Sequence, residues 1–189
     1  FFGSNTNKYK ELATSIEAKL EIAVETNTEG SIDILERVAQ TPYSLGICQL
    51  DVFKDFPKNS VRLIDTLYNE GLQILYPSKY GDKLVISNNP DKLIDSVFKS
   101  SMLYIGKSKS GTNHTAMKFI DALEKCHKIK LDTKKQVNNR HYSAFTDSTI
   151  IFFVSGNIDE TIKTVLQEEH KGQLFSVGND FLKSMTDYT

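Results

Sequence analysis

Three segments of this chain carry residues suited to binding a small polar ligand. Residues 3–9, 26–31 and 104–113 each combine glycine with serine, threonine or asparagine, and each precedes a helical pattern. Hydroxyls and backbone N–H groups at the start of a helix bind anions and other polar groups. Because such loops occur in both halves of the chain, they predict a ligand held between two lobes.

No set of residues predicts catalysis, a metal site or a cofactor. The segment Gly106-Lys107-Ser108 follows a strand pattern, but Ser101 stands where a phosphate-binding P-loop requires its first glycine. The four histidines lack metal-ligand spacing and are expected at the solvated surface. Asp51 is an acid near the predicted binding loops without a convincing second acid beside it. We therefore expect no enzyme, no metal and no cofactor.

The composition is that of an ordinary soluble globular protein. Of 189 residues, 39% are apolar and 25% are charged, and the net charge is −1. A net charge this small gives no field that would attract nucleic acid or an anionic membrane. Arginine occurs only at Arg37, Arg62 and Arg140, so recognition of a ligand by several arginines is not expected. No apolar run approaches the roughly 20 residues of a membrane span, so we expect no insertion into a membrane.

Apolar spacing predicts strands and helices that alternate along the chain. Strands are expected at residues 1–2, 22–24, 45–48, 72–76, 84–86, 102–105, 150–154 and 174–177. Helices are expected at residues 12–20, 32–39, 61–68, 90–97, 116–123, 158–166 and 180–185. This alternation predicts α/β lobes with largely parallel sheets. Ligands of such sheets bind beyond the carboxyl ends of the strands, where the polar loops fall.

Five segments, taken in order, resemble one family of proteins. They are Gly3-Ser4 followed by Tyr9, and residues 28–35, 45–52, 105–112 and 152–156. On these segments the chain resembles the TAXI family, the periplasmic solute-binding receptors of some tripartite ATP-independent (TRAP) transporters. It departs from the family's pattern at Glu29, where glycine is usual, and also at Ser78 and Lys109.

The resemblance implies a type 2 periplasmic-binding fold, in which two α/β lobes close on a ligand. Lobe one is expected at residues 1–87 and lobe two at residues 88–189, with the hinge near residues 86–90 and the fold's C-terminal helices missing. The implied function is an extracytoplasmic receptor for a small polar, carboxylate-bearing ligand such as glutamate or an organic acid. It would deliver this ligand to the permease subunits of a membrane transporter. The resemblance implies a periplasmic location, although no leader is visible, and we expect a monomer.

The expected ligand-binding residues combine hydroxyl and amide groups, which both donate and accept hydrogen bonds. In lobe one they are Ser4, Asn5, Thr6, Tyr9, Thr28, Gly30, Ser31, Gln49 and Tyr76. In lobe two they are Ser110, Gly111, Thr112, Asn113 and Ser155. The ring of Tyr9 or Tyr76 would cover an apolar part of the ligand.

Two alternative functions stay open. The first is an enzyme of the same fold, for instance a transferase of phosphoribosyl groups, in which Asp51 would be the acid or base. The second is a sensor or degenerate receptor that has lost transport and signals to a protein partner. Glu29 favours the sensor, because it brings a charge into a loop that usually carries glycine.

Overall fold

The computed structural model describes residues 1–4, 7–80, 97–128, 130–132, 136–137, 145–155, 163, 166 and 172–176. These residues form the helices and strands of a mixed α/β protein, the class that the sequence predicts. The chain divides into two compact units. Unit 1 comprises Phe1–Leu67 and Lys107–His114, and unit 2 comprises Tyr68–Gly106 and Thr115–Thr189.

Unit 1 is built on short parallel strands. β1 (Phe2–Ser4) pairs with β2 (Glu25–Thr28), and Ser4 lies opposite Thr28 at the carboxyl end of the pair. The strand predicted at residues 22–24 is therefore observed a few residues later. Apolar spacing marks residues that become buried, whereas the extent of a strand depends on which partner residues it pairs with.

A third segment of unit 1, residues 45–47, also runs parallel to β1. The Phe2 N–H donates a hydrogen bond to Leu45 O at 2.8 Å, and the Ile47 N–H donates to Phe2 O at 3.1 Å. The strand predicted at residues 45–48 is thus reduced to a single bridge. Because the three segments run in the same direction, their carboxyl ends lie at the same edge, and polar residues follow each of them.

Helices follow these three segments. They are α1 (Asn7–Leu20), α2 (Ser31–Gln40) and α3 (Leu50–Asp55). α2 lies close to the third segment, because a Cβ atom at Gly46 would be 2.6 Å from Ile34 Cγ2 and 2.9 Å from Val38 Cγ2. The helix α3 was not predicted; six residues are too few to show a helical period.

Unit 2 contains a five-stranded sheet with the order β5-β4-β6-β3-β7. Its strands are β3 (Gly71–Pro77), β4 (Met102–Tyr104), β5 (Gln136–Val137), β6 (Thr149–Ser155) and β7 (Gly172–Ser176). β4 is parallel to β5 and β6, whereas β3 is antiparallel to β6 and β7. The expectation of largely parallel sheets is corrected here to a mixed sheet. Apolar spacing reports burial and carries no information on the direction of a neighbouring strand.

The core of unit 2 forms between this sheet and α4 (Gly111–His127). The predicted stripe on α4 is buried, and Phe119 packs against Phe152 of β6 with ring centroids 6.0 Å apart. The ring centroid of Phe98 lies 6.2 Å from that of Phe119 and 5.9 Å from that of Phe152. The prediction of a fully buried strand at residues 150–154 is confirmed for residues 150–153, and Val154 is partly buried. Among the described residues, no helix is both long and apolar enough to cross a lipid bilayer.

The helix predicted at residues 61–68 is not observed. Residues 61–70 have no regular secondary structure, and Ile64, which was predicted to lie on the buried face of this helix, is 80% exposed. A short helix in water is marginal unless an apolar face packs on a core, and this segment buries little of its apolar surface. Outside the described residues lie the strand predicted at 84–86, the hinge near 86–90 and the helix predicted at 180–185. Most of the helices predicted at 90–97 and 158–166 also lies outside them.

The division into units differs from the lobes expected at residues 1–87 and 88–189. β3 was expected in lobe one, but it pairs with the strands of unit 2. Lys107–His114 were expected in lobe two, but their contacts group them with unit 1. Both differences arise from pairings between segments distant in the sequence, which local patterns do not report.

Candidate functional site

The predicted loops of unit 1 lie at the carboxyl edge of its parallel segments. Thr28 ends β2, and its Oγ1 donates a hydrogen bond to Gly3 O at 2.7 Å, which joins the second predicted loop to the first. Gln49 follows the third segment and is the N-cap residue of α3. In open α/β sheets this edge is where ligands bind.

Two of the predicted loops contact each other directly at Gly30 and Ser110. The Gly30 backbone has φ +141° and ψ −162°, a conformation that is essentially restricted to glycine. A Cβ atom on Gly30 would lie 2.6 Å from Ser110 Cα and 3.0 Å from Lys109 O. The Ile32 N–H, in the first turn of α2, donates to Lys109 O at 3.1 Å. The glycine therefore permits a close backbone approach that another residue would prevent.

Gln49 links the starts of α2 and α4. Its backbone N–H donates to Ser31 Oγ at 3.2 Å. Its side-chain amide lies where a Cβ atom of residue 111 would be, so Gly111 is required for this contact. We call residues 28–31, Gln49 and residues 109–113 the loop cluster. It brings together eight of the predicted binding residues, all within unit 1.

A carboxylate and an arginine support the loop cluster from α2. Asp33 is buried; Oδ2 accepts from the Glu29 N–H at 3.0 Å, and Arg37 Nε donates to both carboxylate oxygens at 3.1 Å. Burial by itself would raise the pKa of Asp33, but these hydrogen bonds and the positive charge of Arg37 outweigh it and hold the pKa below its ordinary value. Arg37 also pairs with Glu25. The Arg37 guanidinium is therefore occupied by two carboxylates of the protein itself.

A second ion pair fastens Lys109 to α2. Lys109 Nζ lies 2.7 Å from Glu36 Oε2, and both side chains are about two-fifths exposed. The hydrogen bond to Glu36 and its negative charge raise the pKa of Lys109 above its ordinary value. With Arg37 and Lys109 both paired, the polar groups that a ligand in the loop cluster would meet are hydroxyls, amides, backbone N–H groups and the exposed carboxylate of Glu29.

Some predicted binding hydroxyls already hold the structure together. Ser110 is the N-cap of α4: Oγ accepts from the Asn113 N–H at 3.1 Å and donates to Lys107 O at 2.7 Å. The Thr28 hydroxyl donates to Gly3 O, as described above. Ser31 and Thr112 are both buried. The loop cluster is therefore a tightly connected region whose groups have structural roles whether or not they bind a ligand.

The other predicted binding residues lie elsewhere. Ser4 ends β1, Tyr9 is half-buried on α1, and Asn5 and Thr6 lie outside the described residues. In unit 2, Ser155 ends β6 and is half-buried. Tyr76, only 1% exposed, packs in the core of unit 2, and its hydroxyl donates to Gln173 Oε1 at 2.9 Å. This position suits core packing rather than contact with a ligand.

The surroundings of His114 and Cys48 were not predicted from the sequence. His114 was expected at the surface, but it is half-buried, and Nε2 lies 2.9 Å from Asp55 Oδ2. No pattern predicted α3, so the position of Asp55 could not be inferred.

The Cys48 thiol has a pKa raised to about 11, mainly by burial and also by the negative charge of Asp51. This thiol is therefore protonated at neutral pH. Within the described part of the chain, no three His, Cys, Asp or Glu residues lie together as a metal site.

The chain was compared with models of known protein families and with curated protein sequences. No family model matches it, and no curated protein matches it.

Proposed function

We propose that this chain is the ligand-binding part of an extracytoplasmic solute-binding receptor of the TAXI type. The ligand is a small polar solute that carries a carboxylate, bound at the loop cluster of unit 1. The observation that carries this proposal is the contact of Gly30 with Ser110, which unites two distant loops of the same polar character. The proposal extends to a type 2 periplasmic-binding fold, a monomeric state and delivery of the solute to a membrane permease.

The chemistry of the loop cluster fits a carboxylate better than a bare metal ion. The N-terminal ends of α2 and α4 carry a partial positive charge, although the Ile32 and Asn113 N–H groups there already bond Lys109 O and Ser110 Oγ. Ser31 and Thr112 add hydroxyls, and Asn113 adds an amide that donates and accepts. Since Arg37 is held by Asp33 and Glu25, specificity would come from several neutral donors rather than from one guanidinium.

A thermal-shift screen of amino acids, dicarboxylates and other organic acids tests the proposal. A solute present at about 100 times its dissociation constant stabilises a protein by about 2.7 kcal/mol. For a chain of this length, that corresponds to a rise in melting temperature of roughly 5–10 °C. We expect at least one carboxylate in the library to give such a shift; a screen without any shift would contradict the receptor.

Calorimetry on variants locates the site. We expect Ser31→Ala and Thr112→Val to weaken binding of the identified solute by at least about tenfold, since each removes one hydroxyl from the loop cluster. Ser108→Ala is the matched control, because Ser108 is an exposed serine just outside the loop cluster. Parental affinity in both Ser31→Ala and Thr112→Val would exclude the loop cluster as the site.

A further inference from the structure

We call residues 107–111 the strap. One residue of the strap, Lys109, makes two contacts with α2. Lys109 O accepts the Ile32 N–H at 3.1 Å, and Lys109 Nζ pairs with Glu36 at 2.7 Å. Ile32 and Glu36 lie four residues apart and thus on one face of α2. The backbone and the side chain of Lys109 therefore hold the same face of the helix.

The strap fits closely against its neighbours, but little of its attachment comes from the burial of apolar side chains. It consists of Lys107, Ser108, Lys109, Ser110 and Gly111, so it contributes no large apolar side chain to a core. Its close fit depends on two glycines, Gly30 opposite Ser110 and Gly111 opposite the Gln49 amide. The pair between Lys109 and Glu36 is two-fifths exposed, and exposed ion pairs contribute little to stability. Segments with few apolar contacts open far more readily than the core.

The docked strap lies against the start of α2, where two of the proposed ligand-binding residues are found. Ser31, at the first turn of α2, is only 8% exposed, and Gly30 is buried against the strap. A solute could not reach the Ser31 hydroxyl past these contacts without movement of a neighbouring group. The strap is one such neighbour, because it contacts Gly30 and Ile32 on either side of Ser31.

We propose that the strap is a releasable cover over the start of α2, and that the pair between Lys109 and Glu36 sets how often it opens. The inference rests on the proposed function for its biological meaning, since it describes how a solute would enter the loop cluster. It is tested without any solute, so that failure of the receptor proposal and failure of the strap proposal are distinguishable.

The first readout is amide hydrogen exchange of Ile32, whose N–H is bonded only while Lys109 O is in place. We expect exchange to be about twofold to fivefold faster in Lys109→Gln and in Glu36→Gln than in the parent, the range that follows from an exposed ion pair. The double variant Lys109→Gln with Glu36→Gln should exchange no faster than either single variant, because both remove the same interaction. Lys109→Arg should retain slow exchange. The amide of Ile151, in the core of unit 2, is the internal control.

The second readout is access to residue 31. In a Ser31→Cys background, with both natural cysteines replaced by serine, a small alkylating reagent should label residue 31 about twofold to fivefold faster when Lys109→Gln is added. High salt should accelerate labelling in the background with Lys109 but not in the variant with Gln, because salt screens exposed charges. Unchanged exchange at Ile32, additive effects in the double variant, or labelling indifferent to Lys109→Gln would each overturn the proposal.

Discussion

Gly30 and Ser110 approach so closely that a Cβ atom on Gly30 would lie 2.6 Å from Ser110 Cα. The first residue precedes α2 and the second precedes α4, so the contact joins the starts of two helices. Gln49 completes the arrangement, because its backbone bonds Ser31 and its side chain contacts Gly111. The polar loops of unit 1 are thus organised by close backbone approach, which depends on glycine.

Replacement of Gly30 tests this arrangement. We expect Gly30→Ala to lower the free energy of unfolding by about 1–3 kcal/mol, because the positive φ is strained for alanine and the new methyl group would collide with Ser110. Urea denaturation measures the loss. Gly71→Ala is the control, since a Cβ atom there meets only the flexible Gln73 side chain at 3.5 Å. Equal stability of the two variants would contradict the contact.

The cap of α4 gives a second prediction. Ser110→Ala removes the acceptor of the Asn113 N–H and should cost about 1 kcal/mol in the free energy of unfolding. Ser110→Asp should be more stable than Ser110→Ala, because aspartate also caps a helix, but less stable than the parent, because a carboxylate cannot donate to Lys107 O. Ser108→Ala, at an exposed neighbouring serine, should change the free energy by less than about 0.5 kcal/mol. If Ser110→Ala were as stable as Ser108→Ala, the Ser110 hydroxyl would not be acting as a cap.

Asp33 gives a prediction about acid stability. Its folded-state pKa is lowered, so its stabilising contribution is fully present above about pH 4 and is lost as the pH falls through that lowered value. We expect Asp33→Asn to cost about 1–3 kcal/mol at pH 7, since it weakens hydrogen bonds to a charged group. The difference from the parent should shrink steadily below pH 4 in urea denaturation.

The exposed Asp65 provides the matched control for that experiment. Asp65→Asn should change the free energy of unfolding by less than about 0.5 kcal/mol at pH 7. A cost of Asp33→Asn that stayed constant from pH 7 to pH 2.5 would mean that the carboxylate charge is not what stabilises α2.

The Cys48 thiol gives a prediction about reactivity. Its pKa is raised to about 11 from an ordinary 9.0, so at pH 8 the folded protein should alkylate at Cys48 about 100-fold more slowly than the same thiol in the urea-unfolded chain. Peptide mass spectrometry after timed exposure to iodoacetamide separates Cys48 from Cys126. A folded-state rate profile with a midpoint near pH 9 would contradict the raised pKa.

Part of the loop cluster was visible in the sequence. The sequence predicts that the polar loops at residues 26–31 and 104–113 precede helices, and α2 begins at Ser31 and α4 at Gly111. Such loops are recognisable because caps and glycines depend on residues next to them in the chain. The contact of Gln49 with Gly111 carried no such local signal. Neither did the pair of His114 with Asp55, which depends on the unpredicted helix α3.

The amino-acid sequence by itself determined the α/β class, the burial of the strand at residues 150–153, the apolar stripe of α4 and the polar character of the loops. These properties follow from the spacing of apolar residues and from the caps, both of which act over a few residues. Only the tertiary structure decided that β3 runs antiparallel to β6, that Ile64 is exposed, and that residues 107–114 group with unit 1. Those outcomes depend on which distant segments pack together, and no local pattern encodes that choice.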